Sequence, residues 1–252
     1  MSFESTVLLR AGAALLVAVL GAAASVAFRK ISHFALCALI SVAAGALLSV
    51  TLLDILPEAY EMVPVLELVL GFLSGYLLFF LISKYVYHIC PACAATHTEE
   101  RFLSVNYLMI IAISLHSAMD GIGVAVGYST GNENLSLVIL LAVSFHKFPE
   151  GLALASVARG AGYSRSKAFL TAFAVETTTL LGAVVSMLFL RNLDLYWFGI
   201  ILAHIGGGFF YLTVHAMLGE MVKHERRSIV AYAALGFASI LLMTLALSAL
   251  GI

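Results

Sequence analysis

Apolar segments of bilayer length constrain this 252-residue chain more than any other feature. A helix crossing about 30 Å of hydrocarbon at 1.5 Å per residue needs about 20 apolar residues in succession. A membrane-length window finds eight such runs, at about 6–28, 34–57, 65–87, 103–127, 135–158, 167–190, 196–219 and 228–251. Lipid offers no water to backbone N–H and C=O groups, so runs of this length must be helices that satisfy themselves internally. The predicted fold class is therefore all-α: a polytopic membrane protein with eight transmembrane helices. Connections are too short for a soluble domain, and residues 1–252 read as a single transmembrane domain. Composition agrees, with 62% hydrophobic and 11% charged residues. A formal net charge of -1 without a basic block argues against nucleic acid as a partner and leaves the lipid bilayer as the expected surrounding.

Placement of the thirteen Lys and Arg residues sets an orientation. Arg29, Lys30, Lys84, Arg101, Arg159, Arg165, Lys167, Lys223, Arg226 and Arg227 fall at the odd-numbered connections, and Arg10 and Arg191 fall on the other side. By the positive-inside tendency the odd connections are cytoplasmic and both termini lie outside the cytoplasm. The small residues of "AAASVA" resemble a signal-peptide cleavage site. However, Glu4 and Arg10 interrupt the apolar run and Arg29 and Lys30 follow it, the reverse of signal polarity, so the first helix is expected to be retained. Lys147, the thirteenth cation, belongs to neither side and lies near the middle of the fifth run.

That lysine sits in "SFHKFPEGLALA", residues 144–155. Each charged group there costs about 2.5–3.5 kcal/mol at the centre of a membrane helix. The fourth run places His116 near its centre and Asp120 one turn on, and the fifth repeats the spacing with His146 and Glu150. In antiparallel neighbours, His116 should lie level with Glu150, and Asp120 with His146. Two imidazoles and two carboxylates at one depth suit a divalent transition metal such as Zn²⁺. Pro149 lacks an N–H, so a kink there should free the carbonyl of Phe145 toward the site. Gly151, with Gly121, Gly123 and Gly127, is expected to bring the fourth and fifth helices close. A lone membrane histidine such as His204 or His33 is more simply an interhelical hydrogen-bonding residue, and Cys37 is expected to pack in the core.

Further polar groups suggest a route. Asp54 and Glu58, with Glu61, follow one another at the outer end of the second run, where an acidic funnel concentrates cations. His215 and Glu220 lie toward the inner end of the seventh, as an exit. "GALLSVTLLDILPE" in the second run and "GGGFFYLTVHAMLGE" in the seventh echo each other in oppositely directed helices, which gives the fold inverted-repeat character. Within the connection at residues 88–102, His88, Cys90, Cys93 and His97 could supply four ligands for a tetrahedral soft metal in a reducing cytoplasm. A turn at Pro91 with incidental thiols explains that loop equally well.

"HSAMDG" followed by "HKFPEG" resembles the paired signatures of the ZIP family of divalent-metal transporters, and "GALLSVTLLDILPEA" in the second run is also similar to this family. The lysine form of the second motif is most similar to the bacterial branch with short loops. The resemblance implies that His116, Asp120, His146 and Glu150 bind the transported metal. It places Ser117 and Lys147 where relatives with two metals carry further ligands, and Glu176 in "TAFAVETTTLLG" as an acidic residue joining from the sixth helix. The expected function is uptake of Zn²⁺ across the plasma (inner) membrane into the cytoplasm, with Cd²⁺, Fe²⁺ and Mn²⁺ as other candidate ions. No enzyme activity is expected, and a homodimer is left open. The alternatives are a passive metal channel and an intramembrane metalloenzyme, although the chain has no H-E-x-x-H match.

Overall fold

The computed structural model describes residues 2–27, 32–86, 98–129, 133–189, 194–218 and 226–249. Among these the chain forms eight helical rods and no strand. α1 is Phe3–Val26; α2 is His33–Val50, continued through Thr51–Ile55 and Leu56–Met62; α3 is Val65–Leu81, continued into Ile82–Val86. α4 is Thr98–Ser129 and α5 is Glu133–Gly160. α6 runs Arg165–Glu176 and Thr178–Phe189, α7 is Leu195–Tyr211 continued into Leu212–Leu218, and α8 is Arg226–Ala249.

Local chemistry sets several helix starts. The hydroxyls of Ser2, Ser32 and Ser164 accept from the N–H of Ser5, Ala35 and Lys167, and the carboxylate of Asp194 accepts from Tyr196, each meeting a backbone donor the helix leaves free. The continuations of α2, α3 and α7 widen into π-helical turns. In two of them a threonine hydroxyl donates to the carbonyl four residues back: Thr51 to Leu47 and Thr213 to Phe209, both at 2.8 Å. The sequence echo between these two helices therefore has a matching local device. α5 runs unbroken through Pro149.

Among the described residues, seven helices are long and apolar enough to cross a membrane: Phe3–Val26, Phe34–Met62, Val65–Lys84, Val105–Tyr128, Arg165–Phe189, Tyr196–His215 and Ser228–Ala246. Seven of the eight expected spans are thus met among the described residues, α5 being the remaining helix. Large apolar side chains on α3 and α8, such as Leu66, Leu70, Leu235 and Leu242, are more than half exposed, as lipid-facing surfaces allow.

Four helix pairs touch backbone to backbone, and each contact is reciprocal. A methyl group at Gly21 of α1 would fall on the carbonyl of Phe148 in α5, and one at Gly151 of α5 on the carbonyl of Ala18 in α1. Gly45 of α2 and Gly236 of α8 stand in the same relation, as do Gly75 of α3 and Gly207 of α7, and Gly121 of α4 and Gly182 of α6. This corrects the sequence expectation. Gly121 brings α4 against α6 and Gly151 brings α5 against α1; only Gly127 meets the neighbour foreseen for it, at the side chain of Ile139 in α5. Near the end of the bundle where α1 begins, Arg10 hydrogen-bonds Ser136 of α5 and lies over the ring of Tyr128 in α4. The largest apolar core gathers Leu47, Ile113, Leu154, Phe209 and Leu212, all fully or almost fully buried.

Substitution at a reciprocal contact should therefore cost far more than at an open glycine. Gly151→Val is expected to destabilise the detergent-purified protein by about 3 kcal/mol, because backbone cannot retreat as a side chain can. Gly12→Ala, where an added methyl meets nothing within 4 Å, should leave the melting temperature unchanged or slightly raised. Equal melting temperatures for the two variants would contradict the packing described.

Candidate metal centre

One turn of α4 separates His116 from Asp120, one turn of α5 separates His146 from Glu150, and the two pairs face each other in the protein interior. All four side chains are buried. His116 Nε2 lies 3.0 Å from Glu150 Oε1 and 3.3 Å from Asp120 Oδ1, and His146 Nε2 lies 3.4 Å from the same Asp120 oxygen. Neither histidine Nε2 nor Glu150 Oε1 has a partner with hydrogen-bond geometry. These atoms crowd together without bonding to each other. Four ligand atoms around one tetrahedral Zn²⁺ at about 2.0–2.1 Å stand about 3.3–3.4 Å apart, close to the distances here. One ligand atom from each residue fits within a mutual separation of 4.8 Å. The arrangement can hold one metal ion, and its two nitrogens and two carboxylates suit a transition metal better than an all-oxygen ion such as Mg²⁺.

Lys147 closes the other side of this group. Its side chain is fully buried, and Nζ meets Glu150 Oε2 at 2.7 Å, Asp120 Oδ2 at 2.8 Å and Glu176 Oε2 at 3.1 Å. Nζ also donates to Ser117 Oγ at 2.7 Å, and that hydroxyl donates to Glu176 Oε2 at 3.1 Å. Counted as ionised groups, three carboxylates and one ammonium leave two negative charges, which one divalent cation neutralises. The ammonium has three donors and no acceptor, so it occupies space beside the ligands that a second cation would need.

A break in α6 places Glu176. The helix is interrupted at Thr177, whose hydroxyl donates to the carbonyl of Phe173 at 2.7 Å. The next hydroxyl, on Thr178, lies within reach of Val175 O at 2.7 Å and of Ser114 O on α4 at 2.9 Å. The run "ETTT" thus loosens α6 and ties it to α4 directly beside the acid.

A cavity of about 250 Å³ reaches the site from one end of the bundle. His116, Asp120 and His146 form its floor, and Asp54 and Glu58 of α2 stand on its wall with Met119, Val143, Phe198 and Leu202. On the far side of the site, the same helices fill the interior with Ile113 of α4, Leu154 of α5 and Phe209 and Leu212 of α7. Phe209 packs on the His116 ring at a centroid distance of 4.6 Å. Sequence reasoning missed Phe209, because an aromatic residue in an apolar helix carries no signal that distinguishes it from its neighbours. His215 does not join the cavity; its exposed ring stacks on Tyr211 and meets the edge of Tyr76. Glu61 is exposed at the helix end, and Cys37 is buried in the core. His204 acts between helices, with Nδ1 2.8 Å from Ser74 Oγ. Glu220 and the loop residues His88, Cys90, Cys93 and His97 lie outside the described residues.

Against known proteins, the profile of the ZIP zinc transporter family matches residues 93–244, well over half of the chain and all of the centre. An uncharacterised protein of Methanocaldococcus jannaschii, MJ1036, is 28% identical over 197 residues, covering 77% of this chain and 78% of its own. Protein zntC of Dictyostelium discoideum is 30% identical over 146 residues, 55% of this chain and 36% of that protein.

Because the ammonium stands beside the ligands, the centre should take one Cd²⁺ per chain, measured by calorimetry and by anomalous scattering from soaked crystals. Lys147→Asp removes the positive charge and adds two oxygens, and should raise the count to two. Two ions already bound at the wild-type centre, or one in the variant, would show that the lysine does not set occupancy.

Proposed function

From the premise that the chain belongs to the ZIP zinc transporter family, an integral membrane family of divalent-metal transporters, we propose that it takes up Zn²⁺ from outside into the cytoplasm through the His116–Asp120–His146–Glu150 centre. The observation that carries this reading is the cavity joining Asp54 and Glu58 to His116, Asp120 and His146, three of the four residues whose ligand atoms converge. In this reading α5 is the eighth membrane span, the whole chain acts as one transmembrane unit, and both termini lie outside the cytoplasm at the plasma (inner) membrane. The positive-inside distribution of Lys and Arg supports that orientation.

The acidic wall draws a hydrated cation inward, and the centre replaces shed water with two imidazole nitrogens and two carboxylate oxygens. Among the described residues, apolar side chains pack beyond the site on the side away from the cavity, which favours a carrier over a passive channel. Passage then requires one group of helices to shift against another so that the centre is exposed alternately. The two imidazoles favour Zn²⁺ over Mn²⁺, in keeping with the softer ligand preference of zinc. Family members are transporters rather than enzymes, which supports reading the centre as a transport site.

In proteoliposomes freed of metal, saturable Zn²⁺ uptake by the wild type and near-complete loss in His116→Ala and Glu150→Ala are expected, with both variants folded. Flux near the wild-type level in both would refute the site. Competition by Cd²⁺, Fe²⁺ and Mn²⁺ in the same vesicles ranks the ions. We place the Cys/His loop on the receiving side as a metal-retention element, so replacing Cys90 and Cys93 with serine should change retained metal more than initial rate. Loss of uptake as complete as in His116→Ala would instead put the loop on the main path.

A further inference from the structure

Asn106 is fully buried on α4, and neither its amide nitrogen nor its carbonyl oxygen has a hydrogen-bond partner among the described residues. It precedes Ser117 by eleven residues, three helical turns, which puts it on the same face about 16 Å along the axis. That is the side of the centre remote from the cavity. Around it on α4, Phe102, Val105, Met109 and Ile113 belong to the apolar core that closes the interior there. A primary amide has two donors and an acceptor, and burying all of them unpaired is unfavourable when Leu would fill the same space. Ser49 of α2 is a second fully buried side chain with an unpartnered hydroxyl, in the stretch whose neighbours Leu47 and Val50 belong to the same core. A permanently dry plug has no use for either group.

Resting on the transport reading above, we propose that Asn106 is a station on the far limb of the ion path, where its amide oxygen and bound water receive a divalent cation leaving the His/carboxylate centre once the apolar core parts. A neutral oxygen suits that place. It offsets part of the dehydration of the ion without the carboxylate charge that would hold it. The amide is satisfied by water in the open conformer and unsatisfied in the closed one, so it also favours opening.

The test uses the full-length protein in proteoliposomes with Zn²⁺ supplied on the cavity side. Asn106→Leu should lower the initial uptake rate ~10-fold, a barrier change of one decade. Its Cd²⁺ affinity by calorimetry should equal wild type, and its melting temperature should be equal or higher. Asn106→Ser, which keeps a neutral oxygen and leaves room for water, should recover most of the rate. Wild-type uptake by a folded Asn106→Leu protein overturns the proposal. Should that variant not fold, Asn106→Cys decides, in a background with Cys37, Cys90 and Cys93 replaced by alanine. A membrane-impermeant thiol reagent on the side opposite the cavity should label it, faster during Zn²⁺ transport; no labelling overturns the proposal. Absent wild-type uptake would refute the transport reading itself, whereas active wild type with active Asn106→Leu refutes this inference alone.

Discussion

A fully buried ammonium holds the centre of this protein together. Lys147 meets carboxylates from α4, α5 and α6, and three such groups within a few ångströms would otherwise repel each other strongly in a medium of low dielectric. Taking ions out of water costs several kcal/mol each unless the charges are closely paired and their remaining donors and acceptors are met, and Ser117 supplies one of those partners. The lysine thus does for the acids permanently what the cargo does transiently. It fixes the carboxylates so that each of two keeps one oxygen turned toward the imidazoles.

Much of this was legible in the sequence because two four-residue spacings in antiparallel helices specify depth and face together. The pairing of His116 with Glu150 and of His146 with Asp120 follows from that geometry alone, whereas Lys147 takes only its depth from the sequence and its contact with Glu150 comes from the structure. Glu176 was harder, since its position depends on a helix interruption that three successive threonines create and no periodicity reports. Glycines misled for a different reason. Their spacing announces a close approach but not its partner, and which helices become neighbours is decided by long-range packing that local pattern does not encode.

Access and closure are built from the same four helices. Toward one end, α2, α4, α5 and α7 spread around a cavity with acids on its wall and the site histidines at its floor, and toward the other they converge on large apolar side chains. The π-helical turns of α2 and α7 lie near this change of character, where a wider helix shifts the direction of the side chains that follow. Acid-walled cavity, mixed-ligand centre and apolar packing thus succeed each other along one axis.

In mechanical terms, the reciprocal glycine contacts reduce eight rods to four stiff doublets. Backbone seated on backbone in α1–α5, α2–α8, α3–α7 and α4–α6 leaves no side chain to give way at those contacts. Slip between doublets would then meet less steric hindrance than slip within one. Among the described residues, the hydrogen-bond and ion-pair partners of Lys147 and of the converging ligand atoms sit in α4–α6 or α1–α5, whereas Asp54 and Phe209 sit in α2–α8 and α3–α7. A seam between those two halves would pass beside the centre without cutting any of its ion pairs, so the binding chemistry could travel intact.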